Sequence, residues 1–205
     1  MNSPRQKSSI TLAMTGASGA AYGLRLLECL VDAGEKIDVL VSLPGQIVIG
    51  METDWDFPAR PAEQTRFLRE RFNTENITVY GKDQWTAPVA SGSGVARAMV
   101  VCPCTTGTLS AIATGASNNL MERAADVVLK ERQKLILVVR ETPLSDIHLE
   151  NMLKLSRMGA VILPANPGFY HKPRGLDDLV DFVVARILDQ LDIEHNLLPR
   201  WGDEE

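Results

Sequence analysis

Residues Thr15 to Gly23, TGASGAAYG, place three glycines among small side chains, after an apolar run and before a helix-like run. Side chains this small let backbone N–H groups approach a phosphate, and the following helix offers its positive end, so the stretch suits a nucleotide-binding turn. Gly16, Gly19 and Gly23 do not follow the G-x-G-x-x-G spacing, and a tight turn without a ligand is the plain alternative. A dinucleotide site needs an acid near the carboxyl end of the second strand to hold ribose hydroxyls. Here KIDVLVS carries Asp38 near its start and ends on Ser42, whose hydroxyl suits a phosphate, which favours a mononucleotide over NAD. The Tyr-x-x-x-Lys pair of short-chain dehydrogenases is missing, because Leu26, Gln84 and Arg174 stand four residues after Tyr22, Tyr80 and Tyr170.

The second half adds hydroxyls and cations. VVCPCTTGTLS sets Thr105, Thr106 and Thr108 around Gly107 just after an apolar run, where they can bind a polar ring edge or a phosphate, or where Thr105 simply caps a helix. LVVRETP closes another run with Arg140 and Glu141, on the same expected sheet edge as the first two turns. Tyr170, His171, Lys172 and Arg174 follow a further run. Arg186, Lys130 and Arg123 read as ordinary helix-surface cations unless they converge on an anion. DDLVD, Asp177 to Asp181, matches a magnesium-binding pattern, but its aspartates lie opposite an apolar stripe with two in a first helical turn, so a solvated face is expected.

The elements that must position these residues alternate. Six apolar runs, ITLAMT, KIDVLVS, NITVY, AMVVCPC, KLILVVR and GAVILPA, read as buried strands. Between them, residues 20–33 form a helix pattern with Leu24, Leu27 and Val31 on one face and Gly34 as its stop, and 176–191 form a broad apolar stripe. Alternation of this kind implies a parallel sheet with right-handed crossovers and a site at the carboxyl ends of the strands. Residues 55–75 and 82–94 are polar enough to be excursions, 1–8 a disordered tail and 193–205 an extended one. With 205 residues the chain fits one domain. A net charge of −5 argues against a nucleic-acid footprint. The polar start and the lack of a long apolar stretch favour the cytoplasm and no membrane span. Cys29, Cys102 and Cys104 are odd in number and lack zinc-ligand spacing, so they are expected to be reduced and structural.

Assembled, the chain resembles the flavin prenyltransferase family of UbiX type, within the homo-oligomeric flavin-containing Cys decarboxylase superfamily. The resemblance rests on TGASGAAYG, the ASGS of Ala90 to Ser93, CPCTTGTLS, ERAADVVLKER, VVRETPL, HLENMLKLSRMGA and PGFYHKP, and runs from Ile10 to Trp201. One departure is LVSLPGQ, where Leu43 stands in place of a usual lysine. The resemblance implies an α/β, three-layer Rossmann-like or flavodoxin-like fold assembled as a dodecamer with sites at subunit boundaries. It also implies transfer of the dimethylallyl group of dimethylallyl phosphate to reduced FMN, without a metal. The product, prenylated FMN with a fourth ring, would pass to a separate decarboxylase of a ubiquinone-type pathway. Carried across, Gly16, Ala17, Ser18, Ser42, Thr105, Thr106, Gly107, Thr108 and Arg140 hold FMN, and Lys130, Arg140, Tyr170 and Arg186 surround the prenyl phosphate. Glu52 and Glu141 are the acid-base candidates with Ser18 as proton relay, and a carboxyl that donates must have its pKa raised by burial. Trp85 and Trp201 are candidates for π surface beside the allyl group. Alternatives are an FMN-dependent Cys-peptide decarboxylase, whose catalytic His lies in the central segment whereas His148, His171 and His195 all fall late, and a non-catalytic FMN-delivery subunit.

Overall fold

The structure, a computed structural model, describes residues 9–198. The tail expected over 1–8, the end of that expected over 193–205, and Trp201 lie outside the described residues. Each of the six apolar runs forms a strand: β1 (Ile10–Met14), β2 (Ile37–Val41), β3 (Ile77–Tyr80), β4 (Ala98–Cys104), β5 (Lys134–Val139) and β6 (Val161–Ile162). All neighbours pair in parallel, in the order β3-β2-β1-β4-β5-β6. Seven helices connect and follow them: α1 (Ala20–Asp32), α2 (Leu43–Glu52), α3 (Pro61–Phe72), α4 (Thr106–Thr114), α5 (Leu120–Lys130), α6 (Asp146–Arg157) and α7 (Leu176–Gln190).

The three-layer α/β arrangement follows from strand alternation. Leu12 pairs in register with Val39 and Val100, and these point into one core with α1, α3 and α7. Their neighbours Ala13, Leu40 and Val101 point into a second core with α4, α5 and α6. Strands covered on both faces carry few polar positions, which is why they read as largely apolar runs, with Thr11 in β1 and Asp38 in β2 as buried exceptions.

Two expectations change. The polar stretch 55–75 contains a helix, α3, which buries only Gln64 and Leu68 and so shows little apolar periodicity. It is anchored by an aromatic cluster, with Phe67 5.7 Å from Trp55 and 5.8 Å from Phe57 between ring centroids, and Arg71 stacked 4.0 Å over Trp55. The aspartates of DDLVD are a solvated face only in part. Asp177 and Asp178 are exposed in the first turn of α7, but Asp181 accepts from Arg25 Nε at 2.7 Å and ties α7 to α1. Beyond α7 the chain turns back, the Ile193 amide donating to Leu188 O at 3.1 Å, and Ile193 and Leu197 pack on the core. The three cysteines are free, with Cys102 and Cys104 fully buried.

Gly23 sets how closely α1 approaches the sheet. A Cβ there would lie 2.4 Å from the carbonyl oxygen of Cys102 and 3.0 Å from Met14 Sδ, and the carbonyl is backbone that cannot rotate away. Gly23→Ala should therefore lower unfolding stability by about 1–3 kcal/mol despite alanine's better helix propensity, as read by denaturant titration.

Candidate functional site

The strand order reverses between β1 and β4, because β2 and β3 lie on one side of β1 and β5 and β6 beyond β4. Crossovers leave this point toward opposite faces, opening a crevice at the carboxyl edge. Three turns meet there. After β1, Gly16 passes beneath the start of α2, where a Cβ would meet Pro44 Cβ at 2.4 Å. Ala17 is buried, Ser18 is exposed, and Gly19 caps α1 at φ 109°, a left-handed conformation suited to glycine. After β2, Ser42 caps α2, accepting from the Gly45 amide at 3.0 Å. After β4, Thr105 caps α4, accepting from the Thr108 amide at 3.1 Å and donating to Thr108 Oγ1 at 2.9 Å. Thr106 and Gly107, at the start of α4, present first-turn amides that the helix itself does not use.

Thr15 joins two of these turns. Its hydroxyl donates to Pro103 O at 2.7 Å and accepts from the Thr105 amide at 2.9 Å, while its own amide donates to Pro103 O at 3.2 Å. Thr15 begins the TGASGAAYG stretch, but nothing in the sequence marks it beyond that position.

Glu52, the last residue of α2, reaches back to the N-terminus of α1. Its Oε2 accepts from the amides of Gly19 and Ala20, each at 2.8 Å. Burial works to raise this carboxyl, but hydrogen bonds from the Ser18 hydroxyl and the two amides, with the nearby Arg140 charge, outweigh it and hold the pKa below the ordinary glutamate value. Glu52 is thus held as a carboxylate, which departs from the expectation of a raised value. It also occupies two of the α1 amides that would otherwise receive a phosphate. Arg140, directly after β5, donates from Nε to Ser18 O at 3.2 Å and closes the other side of the turn. Glu141 beside it is exposed and accepts from the Thr142 amide at 3.1 Å.

The arrangement fits a flavin mononucleotide. Gly16 gives close backbone approach, and Ser42, Thr105 and Thr108 supply hydroxyls, with the first-turn amides of α4 and the Arg140 guanidinium as donors to an anionic tail. A cavity of about 260 Å³ runs between Ser42 and Thr108 and is also lined by Lys82, a cation the sequence reading did not single out.

The remaining expected residues lie elsewhere on the chain. Lys130 ends α5 next to the start of β5, at the amino edge of the sheet, while Arg140 stands at the carboxyl edge after a strand that spans about 20 Å. Lys130 pairs with Glu131, both against Gly92 of the Ala90–Ser93 loop, and Arg123, discounted in the sequence, holds that loop through Ala90 O at 3.1 Å. Tyr170 and Arg186 form a third group outside β6, where Tyr170 stacks on Phe182 at 5.8 Å and Arg186 projects from the outer face of α7. Trp85 is half-exposed on the loop before β4. Of the histidines, His148 completes a capping box at the start of α6, accepting from the Ser145 amide at 3.2 Å. His171 and His195 belong to the Tyr170 and Arg186 group.

Comparison with known proteins places this geometry. The Flavoprotein family model matches residues 1–188. The flavin prenyltransferase UbiX of Pseudomonas aeruginosa is 61% identical over 95% of this chain and 94% of that protein. The crystal structure of AnUbiX in complex with FMN and dimethylallyl pyrophosphate superposes with a TM-score of 0.86 at 40% identity, covering 98% of this chain and all of that one (100%). A dodecameric FMN-dependent UbiX-like decarboxylase from Escherichia coli superposes with a TM-score of 0.84 at 39% identity, over 95% and 99% of the two chains.

The depressed Glu52 carboxyl has a consequence for stability. A group held below its unfolded value stabilises the fold above that value and loses the contribution as pH falls through the folded one. Thermal melts taken from pH 6 downward should show the wild type losing stability more steeply than Glu52→Gln below the ordinary glutamate value of 4.5. Parallel profiles would mean that the α1 N-terminus holds no carboxylate.

Proposed function

The chain belongs to the flavin prenyltransferase family of UbiX type, and we propose that it joins the dimethylallyl group of dimethylallyl phosphate to reduced FMN, releasing phosphate and giving prenylated FMN for a partner decarboxylase. The observation that carries this is the Ser18, Glu52 and Arg140 cluster at the carboxyl edge of the switch point: a carboxylate and a cation on either side of one turn. Reduced FMN supplies the electron pair for the new carbon bond as the allylic C–O bond breaks and its electrons leave with the phosphate.

The protein's part is positioning and proton transfer. Ser42, Thr105, Thr106, Gly107 and Thr108 hold FMN at the carboxyl edge, with Gly16 and Ala17 giving the backbone room to approach. Ser18 passes the proton displaced by alkylation to the Glu52 carboxylate with which it is already hydrogen-bonded. Lys130, Arg140, Tyr170 and Arg186 offset the charge that collects on the departing phosphate, and Glu141, exposed in a single chain, supplies it with a proton once a neighbouring subunit covers it.

In one chain, Lys130, Arg140 and Arg186 occupy three different sides of the sheet. We therefore propose a homo-oligomer, a dodecamer, in which neighbouring subunits complete each site. Exposed apolar side chains next to the site residues support it: Leu43, Ile47 and Met51 recur every fourth residue on α2 up to Glu52, and Ile147, Leu149 and Leu153 follow Glu141 on α6.

Anaerobic incubation with reduced FMN and dimethylallyl phosphate should yield a flavin heavier by one C5H8 unit in mass spectrometry; unmodified flavin at all times would overturn the assignment. Glu141→Gln keeps size and hydrogen bonding but cannot donate as an acid, so single-turnover rates should fall by about 10²-fold to 10⁴-fold with FMN affinity retained. Arg140→Ala should instead weaken binding. For the shared site, Arg140→Ala and Arg186→Ala chains, each impaired alone, should regain part of the lost activity when co-expressed as mixed oligomers. No recovery in verified mixed oligomers would place both residues in one subunit's site.

A further inference from the structure

We propose that Asp189 and His195 are positioning residues that hold Arg186 in its phosphate-receiving pose. The inference rests on the reading of Arg186 as a donor-phosphate ligand and extends it to side chains that do not touch the phosphate. Arg186 is a long side chain, 56% exposed, on the outer face of α7, and left to itself it would sample many rotamers. Its Nη1 donates to Asp189 Oδ2 at 2.6 Å, one helical turn on. The other oxygen of the same carboxylate, Oδ1, lies 3.2 Å from His195 Nε2. His195 sits on the segment that turns back after α7 and is only 14% exposed. Its Nδ1 accepts from the Leu197 amide at 3.4 Å. A ring nitrogen that accepts carries no proton, so the Nε2–H is the one directed at Asp189.

These contacts form a chain in which each link fixes the next. The Leu197 backbone sets the histidine tautomer, the histidine orients the carboxylate, and the carboxylate orients the guanidinium, whose remaining N–H groups stay available to an anion. Arg186, Asp189 and His195 line one cavity of about 600 Å³ with Tyr170, His171 and Phe182. The histidine has a second effect there. Without its N–H, Asp189 would present a less compensated negative charge to the cavity that receives an anionic donor. Both effects act on donor binding rather than on the proton chemistry at Ser18 and Glu52.

The test is steady-state kinetics with saturating reduced FMN and varied dimethylallyl phosphate on the full-length oligomer, its assembly checked by light scattering. His195→Asn, whose short amide cannot reach Asp189, should raise KM for the donor about tenfold while kcat stays within about threefold and FMN affinity is unchanged. His195→Gln, whose amide N–H stands near the Nε2 position, should restore KM to within about threefold of wild type. Asp189→Ala should resemble His195→Asn. Combining His195→Asn with Arg186→Ala should give no further rise over Arg186→Ala alone, because the histidine acts through the arginine. A wild-type KM in His195→Asn, failure of His195→Gln to rescue, or additive losses in the double variant would overturn the proposal while leaving the prenyltransferase reading intact. That reading fails separately, if the wild-type protein forms no prenylated flavin.

Discussion

Thr15 holds the switch point closed. At the carboxyl edge β1 and β4 hand their chains to helices on opposite faces, and their register ends at Ala13 with Val101. The Thr15 hydroxyl takes over the ladder's task, donating to Pro103 O and accepting from the Thr105 amide while its backbone amide also binds Pro103 O. The two turns that carry Gly16 to Gly19 and Thr105 to Thr108 are thereby fixed against each other by groups that are 3% exposed at Thr15. Buried hydrogen bonds of this kind are expensive to leave unmade, so the crevice keeps its shape before any ligand arrives.

On that frame the charges are arranged by backbone rather than by side-chain partners alone. Glu52 is drawn to the start of α1 by two amides and a helix dipole, and Arg140 is drawn to the same turn by the Ser18 carbonyl. An acid and a base thus stand on either side of one exposed serine without forming a direct, mutually quenching pair. Glu52 remains ionised and hydrogen-bonded to the Ser18 hydroxyl. Glu141, next to Arg140 but exposed and accepting from its neighbour's amide, lives in a different environment.

What was legible in the sequence follows from which forces act locally. The strands were readable because a sheet covered on both faces demands continuous apolar runs, and α1 and α7 because each buries a broad stripe. α3 was hidden, since it buries Gln64 and Leu68 alone and is held by Phe67 and Phe72 against Trp55 rather than by periodicity. The carboxyl-edge turns were legible as small and hydroxyl-bearing residues after strands. The ionisation of Glu52 was not, because it depends on amides more than thirty residues away in the chain, a separation of 33 for Gly19. Lys82 and Arg123 gave no sequence signal beyond being surface cations. Their roles beside the crevice and the Ala90–Ser93 loop come only from the fold.

The distribution of cations around the sheet explains why assembly and catalysis should be inseparable in this fold. Topology puts residues after β4 and β5 at the carboxyl edge, the end of α5 at the amino edge, and the outer face of α7 beyond β6. No side-chain reach bridges edges separated by a whole strand. A second anion site assembled from Lys130, Arg140 and Arg186 therefore requires different copies to approach through these three surfaces. The gain is electrostatic. Each cation waits beside a carboxylate of its own chain, Lys130 with Glu131 and Arg186 with Asp189, or against a backbone carbonyl, as Arg140 does with Ser18. Clustering like charges within one folding unit would destabilise it before assembly. Held apart and individually compensated, they would be brought together by the proposed association, which would also shut water from the site, where charge on a leaving phosphate is stabilised most strongly.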